Sequence, residues 1–293
     1  MGKSVGNYWD DWHMALILAA TPLGNPADAS ARLKTAIADA TIIAAEDSRR
    51  FHRLCSDIEV VFTARVLSFF EGNEDERTQE ILVQLENGAT VLVVSDAGMP
   101  TISDPGFRLM REAIARGIDV SVIPGPSAVT MAVALSGLPT DRFSFEGFPP
   151  RTSGARLAVF EKLRHEERTM VFFEAPHRLG DSLSDAQIVF GSNRRGAICR
   201  EMTKHYEETI RGTLDELCTW ADTHEVLGEI TLVFEGAATD SASLTAEDMV
   251  SRVRAFEQAG MDRKSAIASV ATEFGIAKRL VYAAVVDANK ISK

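Results

Sequence analysis

Residues 16–49 read LILAATPLGNPADASARLKTAIADATIIAAEDSR, and their reading decides the fold. Leu16–Ala20 is a short apolar run. It stops at Thr21-Pro22-Leu23-Gly24-Asn25-Pro26, where two prolines and a glycine end a strand and force a tight loop. Ala29–Ala38 spaces its apolar residues at helical intervals. Thr41–Ala45 is apolar again and is bounded by Glu46-Asp47. Strand, turn, helix and strand in that order open a parallel α/β layout.

Moving outward, the alternation continues. Glu74–Glu86 predicts an amphipathic helix closed by Asn87-Gly88. Thr90–Ser95 predicts a buried strand ending in Asp96-Ala97-Gly98-Met99-Pro100. Asp104-Pro105 is expected to open the next helix, Asp as its cap and Pro in its first turn; that helix runs to about Arg116. Asp119–Ile123 is a strand ending in Pro124-Gly125-Pro126-Ser127, the expected hinge between two domains. Beyond it, Ala128–Leu135, Ala155–Leu163, Leu179–Phe190 and Thr213–Ala221 read as helices. Arg142–Glu146, Thr169–Phe173, Ala197–Arg200 and Ile230–Glu235 read as strands. Residues 236–243 are small and polar, a linker by composition. The tail, Thr245–Ala288, has no strand pattern and predicts three short helices in a helix-turn-helix-like module. Thr245-Ala246-Glu247-Asp248 forms a capping-box-like start, Gly260 ends the first helix and Gly275 follows the second.

Composition narrows the function classes. The 293 residues contain 45% hydrophobic and 25% charged residues, as expected of a globular chain. No apolar run approaches the roughly 20 residues of a membrane span, and no signal-peptide pattern opens the chain; residues 1–13 read as a frayed extension. Cys55, Cys199 and Cys218 lie far apart without a CxxC, which fits the cytoplasm and argues against zinc. The net charge of −11 means that any nucleic acid must meet a local basic patch. Arginines cluster at 49, 50 and 53, and basic residues recur at 194, 195, 200, 204 and 211 and along the tail.

Three Gly/Pro loops, Thr21–Pro26, Asp96–Pro105 and Pro124–Ser127, follow strands. The carboxyl edge of an open α/β sheet is where ligands bind. No GxGxxG follows the first strand and no GxxxxGK[ST] occurs, which argues against common dinucleotide and P-loop enzymes. Three polar clusters also follow buried strands. Glu46-Asp47-Ser48-Arg49 reads in part as a helix cap by Asp47 or Ser48, which leaves Glu46 unexplained. Glu174-Ala175-Pro176-His177-Arg178 and Arg200-Glu201-Met202-Thr203-Lys204 are the others; a salt-bridged surface is the alternative reading of the last.

Taken in order, Ala20–Pro26, Ala44–Arg49, Ser95–Pro100, Ser103–Gly106, Pro124–Ala128, Phe145–Phe148, Phe173–Arg178, Arg200–Lys204 and Gly228-Glu229 resemble the tetrapyrrole-methylase superfamily. Within it, they resemble the branch that methylates a cytidine ribose in 16S ribosomal RNA. The likeness covers about residues 14–237, and the helical tail is also similar to that branch's C-terminal domain. Ser48, Met99 and Ala175-Pro176 depart from its usual residues, all by small or neighbouring swaps. The resemblance implies an α/β fold of two domains, 14–123 and 124–237, with a cofactor cleft between them and a small helical domain in 238–293. It implies S-adenosylmethionine as methyl donor, held by Pro22, Asp96, Ala97, Gly98, Thr101, Ile102, Ser127 and Ala128, joined by Glu174 and Gly228. It also implies 16S rRNA or the assembled small subunit as partner, and a homodimer. No metal is expected.

A ribose hydroxyl is a weak nucleophile, so a general base is useful; Glu46, Asp47, Glu174 and His177 are the candidates. Arg49, Arg178, Arg200 and Lys204 are the expected phosphate contacts. The alternatives are a methylase acting on a corrin or siroheme precursor and a non-catalytic donor-binding module. The first is expected to open with a Gly-rich loop in place of Thr21-Pro22-Leu23-Gly24-Asn25.

Overall fold

The computed structural model describes residues 16–238, 246–258, 260–273 and 276–291. Internal contacts divide the chain into two compact units, one of residues up to 161 together with 169–234, the other of 162–168 together with 235–293. The first unit holds two five-stranded sheets.

In the first sheet, β1 (Leu16–Ala19), β2 (Ile42–Ala45), β3 (Arg65–Ser68), β4 (Val91–Val94) and β5 (Val120–Ile123) are all parallel, in the order β3-β2-β4-β1-β5. Every residue of β1, β2 and β4 is buried, which explains their unbroken apolar sequences. Alternate residues feed opposite faces. Ile17, Ala19, Ile43, Ala45, Leu92 and Val94 pack against Leu33 and Ile37 of α1 (Ala31–Asp39) and Phe51 and Cys55 of α2 (Ser48–Asp57). Leu16, Leu18, Ile42, Ala44, Val91 and Val93 pack against Ile81, Leu82 and Leu85 of α3 (Glu74–Glu86) and Leu109 and Ala113 of α4 (Phe107–Ala115).

The second sheet is mixed. The order is β6-β7-β10-β8-β9, built from β6 (Phe143–Phe145), β7 (Thr169–Glu174), β8 (Arg195–Arg200), β9 (Glu208–Thr213) and β10 (Ile230–Phe234); only β6 and β7 pair in parallel. One face carries Val129, Ala132 and Val133 of α5 (Ala128–Ser136) on Val171, Ala197, Cys199 and Val233. Another buried cluster joins Phe160 of α6 (Ser153–Lys162) and Phe190 of α7 (Leu179–Phe190) to Phe172 and Phe234, with ring centroids 5.4–6.5 Å apart. The helix α8 (Leu214–Thr223) opens with a complete capping box of Thr213 and Glu216.

The sequence reading contains neither β3 nor β9, and two connections also differ from it. Asp104 and Pro105 do not open α4. Gly106 caps it in a left-handed conformation (φ 119°), and Glu74 from α3 accepts from Gly106 N at 3.0 Å and Arg108 N at 3.3 Å. A carboxylate from a neighbouring helix thus satisfies the amides that Asp104 was expected to hold. Gly236 is also no simple linker: its backbone packs against the Glu167 carbonyl, and Ala237 N donates to Glu166 O at 2.5 Å.

The second unit contains α9 (Ala246–Gln258), α10 (Arg263–Glu273) and α11 (Lys278–Ile291) around Val250, Val253, Ala266, Ile267, Val270, Ala271, Val281 and Val285. Three helices are present, as the tail pattern predicts. Gly260 follows α9 at φ 92°. The 1–13 extension, Thr245 and Gly275 lie outside the described residues. Among the described residues, no helix is long and apolar enough to cross a membrane.

Candidate active site

The Gly/Pro loops converge. Thr21 and Gly98 form a backbone bridge at 2.8 and 3.1 Å, and Thr21 Oγ1 donates to Ser95 O at 3.2 Å. Gly98 sits at φ 80°, and a side chain there would press on Leu23 at 3.2 Å and approach Pro126 O at 3.8 Å. A Cβ on Gly125 would meet Ala20 at 2.9 Å. Loops after β1, β4 and β5 therefore meet where only glycine fits.

They border a cavity of about 390 Å³, whose other walls come from the second sheet. That volume lies in the range of small-molecule sites, ~300–1,000 Å³. Of the residues that the resemblance assigns to the donor, Asp96, Ala97, Gly98, Ile102, Ser127, Ala128 and Gly228 line it. Pro22 and Thr101 do not. Pro22 is buried within its turn, and Thr101 (φ 77°) sits in the strained turn that presents Ile102, Ser103 and Asp104. Leu23, Arg50, Met99, Asp104, Phe148, Met202, Glu229 and Thr231 also line the cavity, and the sequence reading did not assign them to the site. Asp104 stands before Pro105 where a helix cap is the local reading of the sequence, and Glu229 follows Gly228 directly.

The cavity is acidic. Glu46 Oε2 accepts from Asp96 N at 3.1 Å, and Asp96 Oδ1 accepts from Asp47 N at 3.1 Å, so the loops after β2 and β4 are tied reciprocally. Arg50 Nη1 pairs with Asp96 Oδ2 at 3.1 Å. Burial raises the Glu46 and Asp96 carboxyls above their ordinary range. Asp104 is pushed up to about 7, first by burial and then by the charge on Glu46.

The other predicted catalytic residues sit differently. Asp47 caps α2, accepting from Arg49 N at 2.8 Å and Arg50 N at 3.3 Å, and pairs with the exposed Arg49 at 3.2 Å; the hydrogen bonds from Arg49 hold its carboxyl low. Glu174 lines the cavity but is engaged: it accepts from Ala175 N at 2.8 Å and from Ser182 Oγ, and pairs with Arg178 at 3.3 Å. His177 is exposed on the 3-10 turn after β7, outside the cavity lining.

The predicted phosphate contacts carry internal partners. Arg178 Nη2 donates to Pro149 O at 2.5 Å and Pro150 O at 3.1 Å, bracing the loop that bears Phe148. Arg200 pairs with Glu208 at 2.8 Å. Lys204 bridges Glu201 at 2.9 Å and Glu229 at 3.0 Å, and its alkyl stem crosses Gly24 where a Cβ would stand. Among the described residues, no three His, Cys, Asp or Glu side chains are grouped to hold a metal ion.

A parallel α/β sheet and a mixed sheet bordering one acid-lined cavity, with residues 15–218 matching the family described as Tetrapyrrole (Corrin/Porphyrin) Methylases, place the chain in that family. The Ribosomal RNA small subunit methyltransferase I of Mycobacterium bovis is 48% identical over 276 residues, covering 94% of this chain and 95% of that protein. Among solved structures, the methyltransferase CobJ matches with a TM-score of 0.59 at 17% identity, over 77% of this chain and 95% of that one. A Uroporphyrin-III C-methyl transferase from Thermus thermophilus, complexed with S-adenyl homocysteine, matches at 0.53 and 13% identity, over 76% and 97%.

Proposed function

We propose that this chain is a methyltransferase that moves a methyl group from S-adenosylmethionine to the 2′-hydroxyl of a decoding-centre cytidine in 16S ribosomal RNA. The near full-length likeness to the mycobacterial Ribosomal RNA small subunit methyltransferase I supports small-subunit ribosomal RNA as the substrate. The observation that carries the chemistry is the cavity itself: Glu46, Asp96 and Asp104 face one small space bounded by apolar Leu23, Met99 and Met202. Such a lining suits a cationic sulfonium and ammonium on an otherwise apolar ligand. When bound, the donor supplies an electrophilic methyl whose departing bond pair returns to sulfur.

The chain's own residues do the rest. Gly98, Ser127, Ala128 and Gly228 allow close backbone approach, and Ile102 closes one side. Asp104, its carboxyl raised to about 7 by burial and then by the charge on Glu46, takes the hydroxyl proton as the ribose oxygen bonds to the methyl carbon. Alignment lowers much of the barrier, and a matched base adds about 10²–10⁴-fold. Glu174 and Asp47 position loops. The reading includes a homodimer, a cytoplasmic location, and lobes of residues 14–123 and 124–237 holding the donor.

The test is incubation with labelled donor and, in parallel, small ribosomal subunits from a strain lacking the protein or uroporphyrinogen, followed by mapping of 2′-O-methylation. Label in one cytidine ribose is the expected result. Label only in uroporphyrinogen, or donor binding without transfer to any RNA, overturns it.

A further inference from the structure

The hairpin joining β8 to β9 has one face in the cavity wall and an aromatic pair on the outside. Met202 is 7% exposed and lines the cavity. His205 and Tyr206 are exposed, Tyr206 to 70% of its surface, and their rings meet edge-on at 4.8 Å and 77°. Apolar residues exposed singly are common. This pair differs in being held by a stiff frame.

Glu201 N donates to Glu229 O at 2.9 Å, Lys204 N to Glu201 O at 2.9 Å and Glu207 N to Lys204 O at 3.1 Å. The Glu207 carboxylate turns back to accept from Thr203 N at 2.5 Å. Glu201 (φ 49°) and Thr203 (φ 68°) both occupy the left-handed region, a strain that the surrounding bonds must hold in place. Lys204 ties the tip to Glu229 on the cavity wall and lies over Gly24 of the first loop.

We propose that Tyr206, propped by His205, is a stacking platform for an unpaired base of the RNA substrate beside the cavity. The proposal rests on the RNA-methylating reading above and names how that substrate is held. Three observations favour a base over a phosphate or a protein partner. The two cations of the turn are paired internally, Arg200 with Glu208 and Lys204 with Glu201 and Glu229, which leaves the exposed ring face rather than a free cation for a partner. The acid-lined cavity repels phosphates, so a nucleotide must present its base and sugar. The same seven-residue turn forms cavity wall and platform, which puts a stacked base within reach of the reaction. Single-stranded RNA is commonly held by stacking on aromatic side chains.

The experiment compares the full-length protein with Tyr206→Ala, Tyr206→Leu and Tyr206→Phe. It measures KM and kcat on small subunits, donor affinity, solution mass and, independently of transfer, binding to subunits. Tyr206→Ala and Tyr206→Leu should raise KM and weaken subunit binding about tenfold, with Tyr206→Phe near wild type and donor affinity and mass unchanged. Unchanged KM and binding overturn the platform. So does a loss traced to donor affinity, or a change of mass, which would place the ring against a second copy. Tyr206-dependent subunit binding without methyl transfer would uphold the platform and sink the functional reading instead.

Discussion

Asp104 shows what a single side chain can be asked to do. Its carboxyl is shifted from an ordinary 3.8 to about 7 by burial and by Glu46. If it accepts the ribose proton, kcat/KM should rise with pH through about 7 and then level. Asp104→Asn should remove that limb and cost about 10²–10⁴-fold. A pH–rate profile that is flat between 6 and 8 would remove Asp104 from the role. The same shift has a sign for stability. The folded chain holds a proton that the unfolded chain has already released between about pH 4 and 7, so ionisation of Asp104 destabilises the fold as pH rises across that window. Asp104→Asn, in the absence of donor, should therefore raise Tm at pH 8 and leave it unchanged near pH 3.5. The sequence shows an Asp before Pro-Gly but not its surroundings: the position that would have made it a cap is satisfied by Glu74, 30 residues earlier.

At the scale of elements, legibility followed apolar pattern: even the part-exposed edge strands β5 and β6 alternate apolar residues and were readable. The central strands β1, β2 and β4 are buried on both faces, so their apolar runs were plain in the sequence. Edge strands β3 and β9 are part exposed and carry mixed residues, and neither was foreseen. Pairing with a neighbour, not hydrophobic pattern, makes them strands. The Gly/Pro loops were legible because a glycine or proline announces a turn, whereas the reciprocal Glu46–Asp96 tie spans 50 residues and leaves no local mark. The loop around Phe148 depends on two charged anchors. Arg178 holds Pro149 and Pro150, and Arg156, paired with Asp185 at 2.6 Å with side chains 2% and 8% exposed, donates to the Pro150 carbonyl at 3.4 Å. Removing one member of a buried pair strands the other charge. Arg156→Met should cost about 3–5 kcal/mol in denaturant unfolding, and the double change with Asp185→Leu should recover much of it. An Arg156→Met cost under 1 kcal/mol would show that Asp185 is solvated.

For the molecule as a whole, charge is the feature to explain. A chain of net −11 is an unpromising RNA binder. The tail is the exception: residues 245–293 carry eight Lys or Arg against six Asp or Glu. Lys278 and Arg279 are exposed at the start of α11. If the helical unit meets ribosomal RNA, Lys278→Glu with Arg279→Glu should weaken subunit binding and lower the slope of log K against log salt by about 2, with donor affinity untouched. An unaltered salt slope would make the tail a bystander. The three helices were readable from spacing, but their purpose was not, because exposed basic residues on a helix look alike whether they serve solubility or recognition.

The acids that line the cavity also bear on how a turnover ends. If Glu46, Asp96 and Asp104 hold the sulfonium as proposed, loss of the methyl group would leave a neutral thioether and take away the positive charge that offsets the carboxylates still ionised there. Mutual repulsion then favours ejecting the spent carrier and drawing protons back from solvent. An enzyme built this way resists product inhibition most at alkaline pH, and should clog as the medium turns acid.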